Sequence, residues 1–341
     1  MTATTVPEPR FDHLLHLTDR RGTFEHACFA EPRPEHGYCT DDMARVLVVT
    51  TREPDSSGEV NRLAGVAVRF LNDAQSHSGT CRNRMNRKGR WDDEPSLGDW
   101  WGRCIWGLGT AAAHSDVGLV RRLAVIQFER AAKVRSPWPR AMAFAALGAG
   151  ELLSVDPGHG VARALLTDYA NTVAEPNGDA NWPWPEPRLT YANAVLAEAM
   201  IAAGVALDDS TLLQRGLDLL GWLVEYETAG GHLSPTPAAG RGPDDPRPAF
   251  DQQPVEVSTL ADACARAAAV DPGSIWRDGV LAAAAWFMGV NDGRQLMWDP
   301  ETGGGYDGLH ADGVNRNQGA ESTLAVLSTL QHARHFSTVR Q

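Results

Sequence analysis

Residues 138–153 read WPRAMAFAALGAGELL, a stretch whose apolar residues recur at helical spacing and which carries no charge between Arg140 and Glu151. A helix that is small and apolar on every side favours burial among other helices over exposure of one face to water. Its 13-residue apolar run, AMAFAALGAGELL, is shorter than the ~20 residues that a membrane span needs. The stretch therefore predicts a buried core helix.

Two kinds of helical segment alternate along the chain. Segments of the small, apolar kind are predicted to begin near Thr40, Asp99, Trp138, Leu189, Gln253 and Gln318, at intervals of roughly 40 to 65 residues. Amphipathic segments are predicted at 11–19, 59–74, 119–133, 161–174, 210–226 and 274–288. Runs that alternate Val, Ile, Thr or Tyr with polar residues are scarce, so the chain is predicted to be all-α.

Six apolar helices alternating with six amphipathic ones are what a double ring of helices requires. The predicted fold is one (α/α)6 toroid, a six-hairpin barrel, spanning residues 1–341 as a single domain with residues 1–10 as a flexible tail. A helical solenoid is the alternative, but its repeat should be shorter and more regular. In a toroid the inner helices run parallel, so their N-termini, with free N–H groups and partial positive charge, are expected to share one cleft.

Composition excludes several classes of partner. The charge of 31 − 43 = −12, without a basic stripe, argues against a nucleic acid or an anionic membrane. The N-terminus lacks the pattern of a signal peptide, so a cytoplasmic location is expected. The five cysteines are odd in number and scattered, which favours reduced thiols. His36 and Cys39 lack a second ligand pair, so neither a metal nor another cofactor is predicted. The oligomeric state does not follow from the sequence.

Adjacent aspartates, Asp41 and Asp42, open the first apolar helix within HGYCTDDMAR, residues 36–45. Acidic residues in the first turn of a helix are stabilised by the helix dipole, and for this aspartate pair taken alone that structural interpretation is favoured. Neighbouring helix residues point about 100° apart, so the two carboxylates cannot face one target together. We expect Arg45 to hold Asp41 through i+4 pairing and Asp42 to face the cleft.

The other helix starts also carry unusual polar and aromatic residues. Acids at or near these starts, together with the aspartate pair, are the predicted catalytic candidates: Asp42, Glu256, Glu321, Glu186, Asp41 and Asp99. The predicted substrate-binding residues are Tyr38, Arg45, Arg84, Trp91, Trp100, Arg103, Trp182, Trp184, Tyr191, Asn193, Asp251, Gln252, Gln253, Tyr306, Asp307, His310, Asn317 and Gln318. The loop at 81–96 is either solvated or part of the cleft wall through Asn83, Arg84, Trp91 and Asp92. The third start, SPWPRAM, carries no acid and is assigned to packing.

Tryptophans beside acids and amides suggest a sugar site, since eleven tryptophans against five tyrosines is unusual usage. Indole faces offer flat apolar surfaces, and amides read hydroxyl groups. For any single tryptophan, including the two in the Pro-rich loop before the fourth start, core packing is the better interpretation.

Three stretches carry a family resemblance: HGYCTDDMAR, FDQQPVEVS at 250–258 and GGGYDGLHADGVNRNQGAES at 303–322. They resemble a bacterial α-helical toroid family that occurs alone or fused behind glycosyltransferase-type domains, beside mannoside- and glucoside-processing enzymes. The match runs from HLLHLTDRRGTFEHACF, residues 13–29, to the final helix. It implies the toroid fold and a carbohydrate role, without a particular reaction. The chain departs from the family at Met43, where DDNAR is usual, and at GDWWGR, where EDSHGR is usual.

Three functions follow from these patterns. An inverting glycoside hydrolase would use an acid and a base carboxylate, with Asp42 paired to Glu256 or Glu321 and Glu186 as a third candidate. The substrate would be a short oligosaccharide or glycoside, of the mannoside or glucoside class. A sugar epimerase or isomerase is the first alternative, with His310, His36 or His232 as its histidines. The second is a non-catalytic carbohydrate-binding toroid that works with a glycosyltransferase or glycosidase partner.

Overall fold

The computed structural model describes residues 6–337. Twelve α-helices occur within that range, together with a short 3₁₀ turn, Pro34–His36. The helices are α1 Asp12–His16, α2 Thr40–Arg52, α3 Gly58–Ala74, α4 Asp99–His114, α5 Gly118–Ala131, α6 Pro139–Val155, α7 Gly160–Thr172, α8 Ala194–Leu207, α9 Ser210–Tyr226, α10 Pro254–Ala268, α11 Ser274–Phe287 and α12 Ala320–Ser337.

The strands are short and belong to the loops. They form four antiparallel pairs, in the order β1 with β2, β3 with β4, β5 with β6 and β7 with β8. Their bounds are β1 Ala27–Cys28, β2 Glu31–Pro32, β3 Tyr38–Cys39, β4 Arg84–Met85, β5 Thr228–Ala229, β6 His232–Leu233, β7 Gly308–His310 and β8 Gly313–Asn315. The predicted all-α class is confirmed.

The chain divides into two compact units, which are described separately. The N-terminal unit comprises Leu14–Val173 and Ala199–Gln214. The C-terminal unit comprises Ala174–Glu198 with the described parts of Met1–His13 and Arg215–Gln341. The single domain over residues 1–341 stays a prediction. Residues 1–5 of the predicted tail lie outside the described residues, whereas Arg10 donates a hydrogen bond to the carbonyl of Pro300 (2.8 Å).

Both kinds of predicted helix are present. All residues of α6 from Arg140 to Leu153 are buried, whereas α7 buries only Ala162, Leu165, Leu166 and Tyr169. The apolar helix is therefore surrounded, and the amphipathic one keeps a wet face.

Glycines let α4 and α6 approach backbone to backbone in the N-terminal unit. A Cβ on Gly102 would lie 2.1 Å from the carbonyl oxygen of Ala141, and one on Gly109 would lie 2.0 Å from that of Gly148. The sequence separation is 39 in both cases (141 − 102 and 148 − 109), so the two helices run parallel in a constant register. Such a close backbone approach requires small residues, like those noted in the sequence of these helices.

Two predicted helix boundaries are wrong. The fourth apolar helix begins at Ala194 rather than near Leu189, because Leu189 exchanges backbone hydrogen bonds with Arg241 and Ala192 adopts a φ of 46°. The amphipathic helix predicted at 11–19 is only the five residues of α1. Its continuation turns at Thr18, which bridges to Thr23 instead of extending the helix.

Candidate active site

The aspartate pair at the start of α2 is arranged opposite to expectation. Arg45 Nη1 donates to Asp42 Oδ1 (2.7 Å), and the thiol of Cys39 donates to Asp42 Oδ2 (3.1 Å). Asp42 is 2% exposed. The predictions that Arg45 holds Asp41 and that Asp42 faces a cleft are therefore wrong. The i+3 pairing with Arg45 and the thiol at the N-cap draw the second carboxylate inward.

Asp41 is held instead by groups that are distant in sequence. Arg103 Nη1 of α4 donates to Asp41 Oδ1 (2.8 Å), and Asn83 Nδ2 donates to Asp41 Oδ2 (3.1 Å). Burial opposes ionisation of this carboxyl, but the charges of Arg103 and Arg45 outweigh it and hold the pKa of Asp41 below its ordinary value. Asp41 is therefore a carboxylate at neutral pH, suited to accept a proton or a hydroxyl hydrogen bond rather than to donate.

The loop at 81–96 is tied to the start of α2. Strand β3 pairs with β4, and the backbone N–H groups of Asn83 and Arg84 donate to the carboxylate of Asp93 (2.6 and 2.9 Å). The arginine side chain pairs with Glu25. The expectation that this loop joins the site is supported for Asn83, through its bond to Asp41.

Predicted sugar-binding aromatics in this unit are largely packed. Tyr38 is 1% exposed and donates its hydroxyl to Asp19 (2.8 Å). Trp91 packs edge-on against Phe70, with 5.3 Å between ring centroids. Trp100, half-buried, donates its Nε1–H to the carbonyl of Cys81 (2.8 Å). Because the Tyr38 ring is enclosed by protein, it does not fit the predicted contact with a substrate.

Glu25, Cys39 and Asp42 bring three potential metal ligands within 4.8 Å of one another. The carboxylates of Glu25 and Asp42 are already paired with Arg84 and Arg45, respectively. Burial raises the pKa of the Cys39 thiol well above its ordinary value, so it stays protonated and donates to Asp42. A metal would have to displace these partners, and the donor set does not fit a resident ion.

Glu256 organises the loop before α8 in the C-terminal unit. Its carboxylate accepts from the N–H of Ala192 (2.5 Å), the N–H of Asn193 (3.3 Å) and Asn193 Nδ2 (3.1 Å). The side chain is buried. The predicted catalytic acid Glu256 and the predicted binding residue Asn193 are thus brought together. Because they hydrogen-bond to each other, the geometry supports a structural role for both.

Two predicted substrate amides are also committed to the protein. Gln252 donates from Nε2 to the carbonyl of Ala249 and to Asp292, and its Oε1 accepts from the indole of Trp286 (3.2 Å). Gln318 accepts from Thr302 (2.7 Å) and donates to Asp299 (3.2 Å). Both are buried, so their predicted contacts with sugar hydroxyls do not fit their positions.

Asp307 caps α12, since it accepts from the N–H of Gly319 and the hydroxyl of Ser322, each at 2.9 Å. This helix also carries Glu321, half-buried in its first turn, and the backbone carbonyl of Asn317 accepts from the N–H of Asp307 (2.9 Å). Tyr306, half-buried nearby in sequence, has a pKa raised by burial. The loop is therefore ordered by its own polar residues.

The Pro-rich loop before α8 contributes an aromatic cluster. Trp182 and Trp184 pack with Trp222, and Trp182 also packs edge-on with Tyr226. Both loop tryptophans are buried. Their positions fit the packing interpretation, and the predicted contacts of these two residues with a substrate do not fit their burial. Tyr191 is exposed, whereas Glu186 and, in the N-terminal unit, Asp99 are half-buried.

Asp251 and His310 form the first of two histidine–carboxylate pairs in the C-terminal unit that involve or contact residues 251–252. Asp251 Oδ2 accepts from Gln253 Nε2 (2.8 Å), and Asp251 Oδ1 lies 3.6 Å from His310 Nδ1. That oxygen is buried and has no hydrogen-bond partner among residues 6–337. Burial raises the pKa of Asp251, against the opposing effects of His310 and Gln253. This carboxyl therefore holds its proton to a higher pH than an ordinary aspartate does.

His232 and Asp292 form the second pair. His232 Nε2 lies 2.8 Å from Asp292 Oδ1, and Asp292 Oδ2 accepts from Gln252 Nε2 (2.6 Å). Burial disfavours the charged carboxylate, but hydrogen bonds from Gln252 and His232 help to outweigh it, and the pKa of Asp292 lies below its ordinary value. The two pairs are linked through consecutive residues, because Asp251 is the carboxylate of the first pair and Gln252 donates to the carboxylate of the second. Sequence reasoning missed Asp292, which lies in an ordinary-looking turn, NDGR, after α11.

No protein-family model and no curated protein sequence matches the chain. Solved structures do resemble it. A sugar epimerase from a ruminal bacterium aligns with a TM-score of 0.70 at 13% identity, over 95% of each chain. A cellobiose 2-epimerase from Bacillus thermoamylovorans aligns with a TM-score of 0.70 at 11% identity, over 96% of each chain.

A further neighbour is an α-1,6-mannanase of Salegentibacter sp., described as an inactive variant with two consecutive aspartates replaced by alanine, in complex with α-1,6-mannotetraose. It aligns with a TM-score of 0.60 at 12% identity, over 95% of this chain and 96% of its own. Together the neighbours confirm the predicted fold class, an all-α (α/α)6 toroid. At these identities the likeness shows the fold alone.

Among the described residues, no helix has the length and apolar character to cross a bilayer. All five cysteines are free thiols, as predicted. The fusion to a glycosyltransferase-type domain and the cytoplasmic location stay predictions.

Proposed function

We propose that the protein is a sugar epimerase or isomerase that acts on a reducing aldose of the mannose or glucose series. The observation that carries this proposal is the presence of two histidine–aspartate pairs, His310 with Asp251 and His232 with Asp292. Asp251 belongs to the first pair, and the next residue, Gln252, donates a hydrogen bond to the carboxylate of the second. A carboxylate behind an imidazole fixes its orientation and leaves the other ring nitrogen to exchange a proton with a substrate.

The proposed chemistry moves a proton next to a carbonyl group. In the open-chain sugar, one imidazole removes the proton from C2 and its electron pair forms an enediolate with the carbonyl. The other imidazole returns a proton to the opposite face of C2, which gives the epimer. Alternatively, the hydroxyl proton on O2 moves to O1 and the imidazole returns its proton to C1, which gives the ketose. No water is consumed, and a pair of positioned acid and base groups contributes roughly 10²–10⁴-fold each.

The two carboxyl groups suit different tasks. Asp292, whose pKa is lowered, stays ionised and stabilises His232 as it gains a proton. The carboxylate of Asp251 lies further from its imidazole, at 3.6 Å from His310 Nδ1. We therefore assign the role of base to His232, which Asp292 contacts at 2.8 Å, and the role of proton donor to His310. The epimerases among the structural neighbours support this choice by fold only.

The test is a panel of mannose, glucose, cellobiose and mannobiose incubated with the protein in D₂O and followed by proton NMR. The expected result is a C2 epimer or a ketose, with deuterium at the position that received the proton. His310→Asn and His232→Asn should each lower the rate at least about 10²-fold. His77→Asn, at an exposed histidine outside the site, is the matched control. Unchanged turnover in both site variants would refute the assignment.

A glycoside hydrolase is the second candidate, because Asp41 is held ionised by its arginine partners and can act as the base carboxylate. The inactive mannanase with two replaced aspartates adds support by analogy with the pair Asp41–Asp42. In this candidate Asp41 replaces Asp42 as base, because Asp42 is buried against Arg45.

Release of new reducing ends from α-1,6-mannotetraose separates the candidates. Hydrolysis abolished by Asp41→Asn would favour the hydrolase. Binding of the tetrasaccharide with neither hydrolysis nor C2 exchange would favour a non-catalytic carbohydrate-binding protein.

A further inference from the structure

Trp138 contradicts the expectation of packing at the third apolar helix. Its side chain is 61% exposed, and it occupies the N-cap of α6. An exposed indole contributes little to the core, and its apolar face is open to contact with a ligand.

The backbone beneath this indole is fixed. Pro137 and Pro139 flank it, and the second proline is the first residue of α6. Ser136 Oγ accepts from the N–H of Trp138 (3.1 Å) and donates to the carbonyl of Leu97 (2.7 Å). The tryptophan is therefore presented on a rigid support, and only its two side-chain torsions remain to be ordered by a ligand.

The register of α4 and α6 places Trp138 near the Asp41–Arg103 pair within the N-terminal unit. Ser136 and Leu97 keep the separation of 39 (136 − 97) found along these helices. Trp138 is therefore level with Asp99, the first residue of α4. Arg103 lies four residues further along, about 6 Å deeper at 1.5 Å per residue. The indole stands at the rim and the charged pair lies one turn inside.

Arg103 holds the Asp41 carboxylate in place. Its guanidinium is buried, with Nη1 on Asp41 and its plane over the ring of Phe144 (4.5 Å). The side chain of Asp41 keeps 17% of its surface exposed, so this carboxylate is the part of the pair that a ligand can reach. An ionised acceptor one helical turn from an exposed indole suits the hydroxyl groups and the apolar face of a neutral sugar ring.

We propose that Trp138 is the stacking platform of a carbohydrate-binding site in the N-terminal unit, in which the Asp41–Arg103 pair reads the hydroxyl groups of the stacked ring. The site takes an uncharged pyranose unit of an oligosaccharide, since an anionic ligand would meet the Asp41 carboxylate and the net charge of −12. The inference goes beyond the proposed reaction, whose residues belong to the C-terminal unit.

The experiment measures binding by isothermal titration with mannose, α-1,6-mannotetraose and cellotetraose. Trp138→Ala should weaken tetrasaccharide binding roughly tenfold or more, whereas Trp138→Phe should retain most of it, because the aromatic face is kept. Phe29→Ala, which removes another exposed aromatic (64% exposed), is the matched control and should not change binding. Since the indole is exposed, both Trp138 variants should unfold at the temperature of the parent, which excludes misfolding as the cause.

An unchanged affinity of Trp138→Ala for every sugar bound by the parent would overturn the platform, as would a parent that binds none of them. These outcomes are distinct from failure of the proposed reaction. A parent that binds tetrasaccharide through Trp138 but exchanges no proton at C2 would retain the platform and refute the epimerase.

Discussion

Arg241 anchors the segment that follows His232, a member of one histidine–aspartate pair. The residue is 0% exposed, and its guanidinium donates to the carbonyls of Ser234 and Pro235, each at 3.2 Å. Glu227, also buried, accepts from the N–H and hydroxyl of Thr236 (3.0 and 2.6 Å) and interacts electrostatically with Arg241. The segment between these residues leads from His232 towards Asp251.

We predict that Arg241→Met lowers the free energy of unfolding by about 3–5 kcal/mol. Two carbonyls lose a donor, at about 1 kcal/mol each, and the Glu227 carboxyl loses the opposite charge that compensates its burial. Burial already raises the pKa of Glu227 despite Arg241. The raised pKa means that the contribution of this group to stability is present at low pH and falls as the pH rises through the folded value, so the deficit should be larger at pH 8 than at pH 5.

Urea denaturation followed by circular dichroism checks this prediction. The double variant Glu227→Gln with Arg241→Met should recover part of the loss, because no charge is then buried alone. Arg188→Met, which breaks an exposed pair with Asp245 (48% and 39% exposed), is the control and should leave the urea midpoint nearly unchanged. A loss below about 1 kcal/mol for Arg241→Met, or strict additivity in the double variant, would refute the reasoning.

Further predictions concern the helix contacts and the carboxyl groups. Gly109→Ala should destabilise the protein by about 1–3 kcal/mol in the same urea assay, because the added Cβ would meet the opposing backbone at 2.0 Å, whereas Gly160→Ala, with open space around it, should be neutral or slightly stabilising. Asp307→Ala should cost about 0.5–2 kcal/mol through loss of the α12 cap, measured as a lower urea midpoint; an unchanged midpoint would argue against capping. Gln253→Leu should raise the pKa of Asp251 further above its ordinary 3.8, because it removes a hydrogen bond that favours the carboxylate; carboxyl carbon-13 NMR would show this, and a fall would contradict it.

Local sequence signals account for most of the fold. Five of the six apolar helices begin within about two residues of the prediction, because spacing, prolines and first-turn acids act within one turn of chain. The constant register of α4 on α6 rests on Gly102 and Gly109, which the sequence showed only as a small-residue composition.

The site was harder to predict because its decisive partners are distant in sequence. Asp41 is held by Arg103, and Glu256 by Asn193, so the i+3 and i+4 rules within one helix could not assign them. Asp292 looked like a turn residue, and its role depends on Gln252 and His232 reaching it. Side-chain chemistry selected candidate loops, whereas the partner of each polar group needed the folded structure.

Proton exchange at C2 tests the central claim most directly. The protein is incubated with a reducing mannose- or glucose-series sugar in D₂O, and deuterium at C2 and new reducing ends are measured in the same sample. The account predicts deuterium incorporation without new reducing ends, and its loss in His310→Asn and His232→Asn. New reducing ends without deuterium at C2 would contradict it.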